Sequence, residues 1–219
     1  METLSEIVQM IWLLITSLIE TILQWTTTPR EKDISDDIVL ITGAAQGLGR
    51  ELALQFYKQK STIILMDINK SGCEETREYV HSVGGVGNSV FIFTCDVSQF
   101  NLVKDSIEDI QRSIGDISIL VNNAGIVNTR SLSDISAEQY ARTVSVNLLA
   151  HAWTTKCCLP AMIANRKGHI VTVSSILGLL ACNKISEYCA SKFGVVGFHE
   201  SLATDMMVLE KRGIGGLYR

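Results

Sequence analysis

Five short apolar runs, rich in β-branched residues, recur along the chain, and each is followed by a stretch of helical character. The runs are IVLIT (38–42), TIILMD (62–67), VFIFTCD (90–96), ISILVNN (117–123) and HIVTVSS (169–175). Each is nearly continuous rather than alternating, which is the pattern of a parallel strand covered on both faces. Helical character spans Leu48–Gln59, Gly72–Val83, Asn101–Ser113, Ala137–Ala164 and Ser186–Lys211. Strands alternating with helices of this length predict βαβ units and an α/β fold, a doubly wound parallel sheet with helices on both faces. In such sheets ligands bind beyond the carboxyl ends of the strands, so functional residues are expected just after each run.

The remaining composition narrows the possibilities. A chain of 219 residues, 47% of them hydrophobic, is long enough for one domain with a substantial core. A net charge of −4 argues against a nucleic-acid partner, which calls for a basic face. The six cysteines form no C-x-x-C pair and no grouping with histidine, so no metal site is expected and the thiols read as free, facing a reducing compartment. The first 25 residues stand apart. Ile7 to Trp25 is apolar apart from Glu20 and a few neutral polar residues, close to the ~20 residues that a spanning helix needs. Glu2 and Glu6 precede it and no small-residue cleavage site follows, unlike a secretory signal. Arg30 and Lys32 come after it, which places the following domain in the cytosol by the positive-inside tendency, with Trp25 as an interfacial aromatic. The alternative is an amphipathic helix lying on the membrane or docked on the domain; whether the segment spans or is monotopic stays open. The expected organisation is a membrane anchor helix at 1–25, a polar linker at 26–37 and a catalytic-type domain at 38–219.

The first strand runs directly into TGAAQGLGRELA. Gly43, Gly47 and Gly49 between a strand and a helix let backbone amides at the helix start approach a pyrophosphate, where a side chain at Gly43 or Gly47 is expected to block it. Asp67 ends the second strand, about 20 residues past the glycines. There a carboxylate accepts from an adenosine ribose and repels a 2′-phosphate, favouring NAD over NADP. Lys70 leaves NADP possible, and Asp67 can also be read as a helix N-cap. Asp96 either faces the adenine or caps the next helix.

EYCASK places Tyr188 and Lys192 four residues apart, on one face of a helix. A phenol is a poor base at neutral pH, and a nearby ammonium stabilises its phenolate. Such a tyrosine can take a proton from an alcohol; the plainer reading is a half-buried tyrosine beside a solvated lysine. Ser175 follows the fifth strand, where a substrate oxygen would sit, with Ser174 adjacent. Asn147 is a polar residue inside an apolar helical stretch, either a buried amide satisfying backbone groups or a member of a proton relay.

Taken together, Thr42-Gly43-x-x-x-Gly47-x-Gly49, Asn122-Asn123-Ala124-Gly125, Asn147, Ser175 and Tyr188-x-x-x-Lys192 resemble the short-chain dehydrogenase/reductase family in order and spacing, over about Asp37 to Ile214. The resemblance implies a Rossmann-type fold. It implies that Tyr188 is the acid/base, that Lys192 lowers its pKa and holds the ribose, that Ser175 positions the substrate oxygen, and that Asn147 anchors a relay water. Cofactor contacts are implied for Thr42, Gly43, Gln46, Gly47, Leu48, Gly49, Asp67, Asp96, Asn123, Ala124, Gly125, Tyr188 and Lys192. The anchor, LMDINK, LPAMIANRKGHIVTVSS and EYCASKFGVVGFHESL resemble the membrane-anchored retinol and hydroxysteroid dehydrogenases of family 16C. That implies a lipid alcohol or carbonyl as substrate, attachment to the endoplasmic reticulum membrane facing the cytosol or to lipid droplets, and a homodimer or pairing with a full-length relative through the two long helices. A sugar-nucleotide epimerase also uses Tyr-x-x-x-Lys, but Asn122-Asn123-Ala124-Gly125 and the anchor speak against it. The family continues with a sixth strand, a Pro-Gly turn, a lid and a seventh strand. The sequence RGIGGLYR (212–219) departs from that pattern at Gly215, and no Pro-Gly pair occurs. The expectation is therefore a truncated member lacking the last two strands, with impaired or absent activity.

Overall fold

The computed structural model describes Glu6, residues 8–12, 15–17 and 19, and residues 32–85 and 89–211. Two compact units are present, Met1–Asp33 and Ile34–Arg219. The described residues of the first unit between Glu6 and Ile19 are helical, and among the described residues no helix is long and apolar enough to cross a membrane. The rest of the expected anchor, including Trp25, the first part of the linker with Arg30, and the RGIGGLYR segment lie outside the described residues.

The second unit is the expected α/β fold. Its elements are β1 (Ile38–Thr42), α1 (Gly47–Lys58), β2 (Thr62–Asp67), α2 (Lys70–Val83), β3 (Val90–Thr94), α3 (Phe100–Ser113) and β4 (Ile119–Asn122). There follow α4 (Ala137–Val144), a π-helical turn (Ser145–Leu149), α5 (Ala150–Ala164), β5 (His169–Thr172), a 3-10 turn (Ile176–Gly178) and α6 (Ser186–Lys211). The strands form one sheet in the order β3-β2-β1-β4-β5. All pairings are parallel, with Leu40 opposite both Ile64 and Leu120. The order reverses at β1, between β2 and β4, which is where such sheets open a crevice.

Alternate residues of the central strands feed two separate cores, because successive side chains of a strand point to opposite faces. Leu40, Ile64, Met66 and Leu120 pack with Val103, Ile107 and Ile110 of α3 and Cys158 and Met162 of α5. Val39, Ile41, Ile63, Leu65 and Val121 pack with Ala53, Leu54 and Tyr57 of α1 and Cys73 and Val80 of α2. Burial on both faces explains why these runs read as unbroken apolar stretches.

Three expected strands are shorter than their apolar runs. β3 stops at Thr94, β4 spans Ile119–Asn122, and β5 stops at Thr172. Asp96 and Asn123 to Gly125 therefore leave the ladder and line the crevice instead. The predicted helix over Ala137–Ala164 is interrupted by the π-helical turn that carries Asn147. α2 starts two residues earlier than its pattern suggested, because the Asn69 side chain accepts from the Gly72 N–H and caps it.

Candidate active site

The glycine loop turns sharply out of β1, with Gly43 at φ +66 and Gly47 at φ +56, a left-handed conformation that side chains resist. The three glycines serve different ends. A Cβ on Gly43 would lie 2.8 Å from the Ala124 Cα, and one on Gly49 would lie 2.2 Å from the Gly43 carbonyl oxygen. Both are therefore required by backbone packing. Gly43 also lines the cleft, so it answers to packing as well as to the ligand that the sequence leads one to expect there. A Cβ on Gly47 would meet nothing within 4 Å, so this position opens directly onto the cleft. Gln46 occupies the N-cap of α1 and makes no side-chain capping bond, leaving the first-turn amides uncapped by it.

The loop is held by its neighbours. The Gly43 N–H donates to the Met66 carbonyl at 2.9 Å, and the Ala45 N–H donates to Asp67 Oδ2 at 3.1 Å. Asp67 Oδ1 accepts from the Asn69 N–H at 3.0 Å. Asp67 is thus not the N-cap of α2, which is Asn69; it ties the glycine loop to the end of β2. Asp96 likewise does not cap α3, where Gln99 takes that position. Its Oδ1 accepts from the Ser98 N–H at 3.1 Å and the Ser98 hydroxyl at 2.7 Å, and its Oδ2 lies 3.7 Å from Arg142 Nη2.

Thr42 and Asn123 lock β1 to β4. Thr42 Oγ1 accepts from the Asn123 and Ala124 N–H groups at 3.0 and 3.1 Å, while Asn123 Nδ2 donates to the Thr42 and Gly43 carbonyls at 2.9 and 3.1 Å. Asn122 is buried behind them, its Oδ1 accepting from the Thr154 hydroxyl at 2.6 Å. The Asn-Asn-Ala-Gly element therefore steadies the sheet and borders the cleft.

These elements enclose a cavity of about 370 Å³. Of the residues expected to contact a dinucleotide, Gly43, Gln46, Gly47, Asp67, Asp96, Asn123, Ala124 and Gly125 line it. Thr42 is buried beneath the wall, Gly49 is buried in the packing of the loop, and Leu48 is exposed. Arg142 of α4 and Val146 of the π-helical turn also line the cavity and had no signal in the sequence beyond their nearness to Asn147. Asn147, Ser175, Tyr188 and Lys192 are not part of its lining.

Lys192 nevertheless stands at its edge. A Cβ on Gly125 would lie 3.9 Å from Lys192 Nζ. The lysine is only 3% exposed, its Nζ donates to the Val173 carbonyl at 2.8 Å, and burial lowers its pKa. The ammonium lies 5.7 Å from the centroid of the Tyr188 ring, so the tyrosine and lysine share a face of α6, and the solvated-lysine reading does not hold. Asn147 is fully engaged. Its Oδ1 accepts from the Ile126 N–H at 2.8 Å, and its Nδ2 donates to the Ile126 carbonyl at 2.9 Å and the Ser191 hydroxyl at 3.1 Å. Ser175 Oγ accepts from the Leu177 N–H at 3.1 Å at the start of the 3-10 turn, whereas Ser174 Oγ turns to the Lys192 carbonyl at 3.4 Å.

A parallel sheet that reverses at β1, with a glycine turn and a cleft at its carboxyl edge, defines a Rossmann-type α/β protein. The short chain dehydrogenase family pattern matches residues 37–212, and the chain belongs to that family. Retinol dehydrogenase 10-B of Danio rerio is 41% identical over 208 residues, covering 87% of this chain and 62% of that protein. Estradiol 17-beta-dehydrogenase 11 of Homo sapiens is 42% identical over 214 residues, covering 98% of this chain and 70% of that protein. The chain thus spans less than two thirds of the length of retinol dehydrogenase 10-B. Among solved structures, a metagenomic short-chain oxidoreductase in complex with NADP superposes with a TM-score of 0.74 at 25% identity, covering 80% of this chain and 79% of that one. NAD+-bound xylitol dehydrogenase superposes with a TM-score of 0.74 at 26% identity, covering 80% of this chain and 66% of that one.

Proposed function

We propose that this chain is an NAD-dependent oxidoreductase that interconverts a lipid alcohol and its carbonyl. The observation that carries the reading is the joint placement of the glycine-loop cleft and the Tyr188–Lys192 pair, with Lys192 Nζ against Gly125 in the cavity wall. The residues fit a dinucleotide: Gly47 is open to the cleft, Gln46 leaves the α1 amides uncapped, and Asp67 presents its carboxylate at the wall. A negative charge there favours a ribose with two free hydroxyls over a 2′-phosphate, hence NAD before NADP.

A bound nicotinamide supplies the hydride acceptor or donor. The chain supplies the proton chemistry and the orientation. Tyr188 exchanges a proton with the substrate oxygen, Lys192 holds a positive charge beside it, and Ser175 offers a hydroxyl to that oxygen from the end of β5. Retinol- and steroid-like substrates suit the reading because relatives named for retinol and estradiol are more than 40% identical. We further propose attachment to the endoplasmic reticulum membrane or to lipid droplets, with the domain on the cytosolic face, supported by the apolar segment Ile7–Trp25 and the basic residues after it. A second copy, or a longer relative, is proposed to pack on α5 and α6, where Leu149 beside α5 and Phe193 of α6 are exposed.

The first test is calorimetry of the chain with NAD and NADP, with Gly47→Trp as the blocked control, followed by retinol and steroid turnover with Tyr188→Phe. Saturable NAD binding lost in the control, with turnover lost in Tyr188→Phe, supports the reading. Binding without turnover in the wild type leaves a nucleotide-binding, non-catalytic protein. No binding overturns it.

A further inference from the structure

Glu187 stands in the first turn of α6, one residue before Tyr188, and is 0% exposed. Burying a carboxyl group is costly unless its oxygens are partnered. Here one of the two is. Glu187 Oε1 accepts from the Asn128 N–H at 3.2 Å, while Oε2 is buried with no hydrogen-bond partner. Among the described residues no salt bridge reaches it. An apolar side chain would fill the same space without that cost. What the carboxyl group contributes is therefore the bond to Asn128, along with an acid at the start of a helix, where the dipole favours one.

Asn128 belongs to the segment that leaves β4, whose Gly125 and Ile126 line the cavity. Three elements hold that segment. Asn147 of the π-helical turn takes both the N–H and the carbonyl of Ile126. Thr143 of α4 accepts from Asn128 Nδ2 at 2.9 Å. Glu187 takes the Asn128 N–H from the side of α6. Ser191, one helical turn beyond Glu187, accepts from Asn147 Nδ2 at 3.1 Å. Residues 187 and 191 thus form one stripe of α6, next to the stripe of Tyr188 and Lys192. The first stripe grips the segment. The second faces what the segment carries, since a Cβ on Gly125 would lie 3.9 Å from Lys192 Nζ.

We propose that Glu187 is a positioning residue for the Tyr188–Lys192 pair: its buried carboxyl group pins the segment after β4 to the start of α6, and so sets the separation between that pair and the cavity wall at Gly125. The inference rests on the functional reading of the pair, but its first test requires neither turnover nor bound nucleotide. Without Glu187, Ser191 and Asn147 still tie the helix to the π-helical turn one turn further on. The first turn, which carries Tyr188, loses its hydrogen bond to the segment.

The test is NMR of the full chain in detergent micelles, with two readouts. One is hydrogen exchange of the Asn128 amide. The other is the nuclear Overhauser contact between the Gly125 α-protons and the Lys192 side chain. Glu187→Met keeps the length of the side chain and removes the acceptor; Glu187→Ala serves if the methionine is not accommodated. The expected result is about tenfold faster exchange at Asn128 and loss of the Gly125–Lys192 contact. Glu187→Gln, which keeps an acceptor oxygen, should restore both. Ile107→Val, a core change in α3, controls for a general loss of stability and should leave the contact in place. Where the wild type turns over, kcat in Glu187→Met should fall by roughly tenfold or more with NAD affinity little changed, because the glycine loop and Asp67 are untouched. Exchange at Asn128 unmoved by Glu187→Met overturns the proposal. So does a Gly125–Lys192 contact that persists once Asn128 is released, a glutamine variant that behaves like the methionine one, or loss of the contact in Ile107→Val. Absence of NAD binding, in contrast, strikes the proposed activity and leaves both NMR readouts intact.

Discussion

At the scale of single residues, the glycine loop separates two roles that one motif conceals. Gly49→Ala would place a Cβ 2.2 Å from the Gly43 carbonyl oxygen, a backbone atom that cannot swing aside. Its expected outcome is a loss of roughly 3 kcal/mol or more in chemical denaturation. Gly47→Ala carries the strain of a positive φ but meets no atoms, so it should cost about 1–2 kcal/mol of stability. Calorimetry should show the converse ranking for Gly47→Trp, with nucleotide binding abolished while the fold persists. His151 makes a second prediction at this scale. Its folded pKa of about 4 lies below the 6.5 of an unfolded histidine, so the unfolded chain binds the extra proton first as pH falls. Stability should therefore decline from about pH 6.5 down to about pH 4, by up to ~3 kcal/mol from this residue. Urea denaturation across that range should show the slope flattened in His151→Gln. The thiols divide by burial: Cys73 is pushed up to about 12 and Cys158 is raised further by burial, while Cys182 is exposed. Alkylation followed by mass spectrometry should label Cys182 first and reach Cys73 and Cys158 only on unfolding.

At the scale of elements, helix starts decide where the site residues point. Asn69 caps α2, and because it does, Asp67 is left to hold the Ala45 amide and to face the cleft. Asn69→Ala should cost about 1 kcal/mol, the usual worth of such a cap, read in thermal or chemical denaturation. The carboxylate of Asp67 should then be less well placed and the proposed preference for NAD over NADP reduced, which calorimetry with both nucleotides measures. The apolar runs revealed all five strands of the described sheet: β1, β2 and β4 are apolar because both their faces are covered, and the edge strands β3 and β5, though only partly buried, keep a β-branched and aromatic run. They overstated the lengths of β3, β4 and β5, because hydrophobicity reports burial and not pairing. Cys95 and Val97 are buried although they lie past the ladder. The π-helical turn at Ser145–Leu149 left no trace in the periodicity, since one extra residue in a turn shifts a pattern that was already apolar all round.

For the whole molecule, the sheet reversal at β1 gathers the glycine loop, Asp67, Asp96 and Asn123–Gly125 around one cavity, although they span more than a third of the chain. If that cavity takes a dinucleotide, the folded state is stabilised by mass action. At ~100 times Kd, NAD should add about 2.7 kcal/mol, visible as a rise in Tm that Gly47→Trp removes. The proposed membrane attachment is tested at this scale as well: the full chain should partition with vesicles of neutral phospholipid, and a chain with charged residues replacing Ile11 and Ile15 should not. Both side chains are exposed within the N-terminal unit, so their replacement leaves the cores of the sheet untouched.

What the amino-acid order determined by itself was the fold class and the identity of the chemical groups. Five apolar, β-branched runs, a glycine turn after the first, and a tyrosine and lysine four apart are local patterns, and local patterns are legible in one dimension. The tertiary structure decided which group serves which neighbour. Gly43 touches Ala124, Asp67 holds Ala45 and not a helix start, and Arg142 comes to the cavity wall from a helix with no motif of its own. The full burial of His151 in the first turn of α5 belongs to the same category. Each of these contacts joins segments that are distant in the chain, and whether a polar atom is satisfied depends on every element packed around it. That condition exists only once the sheet and helices have closed.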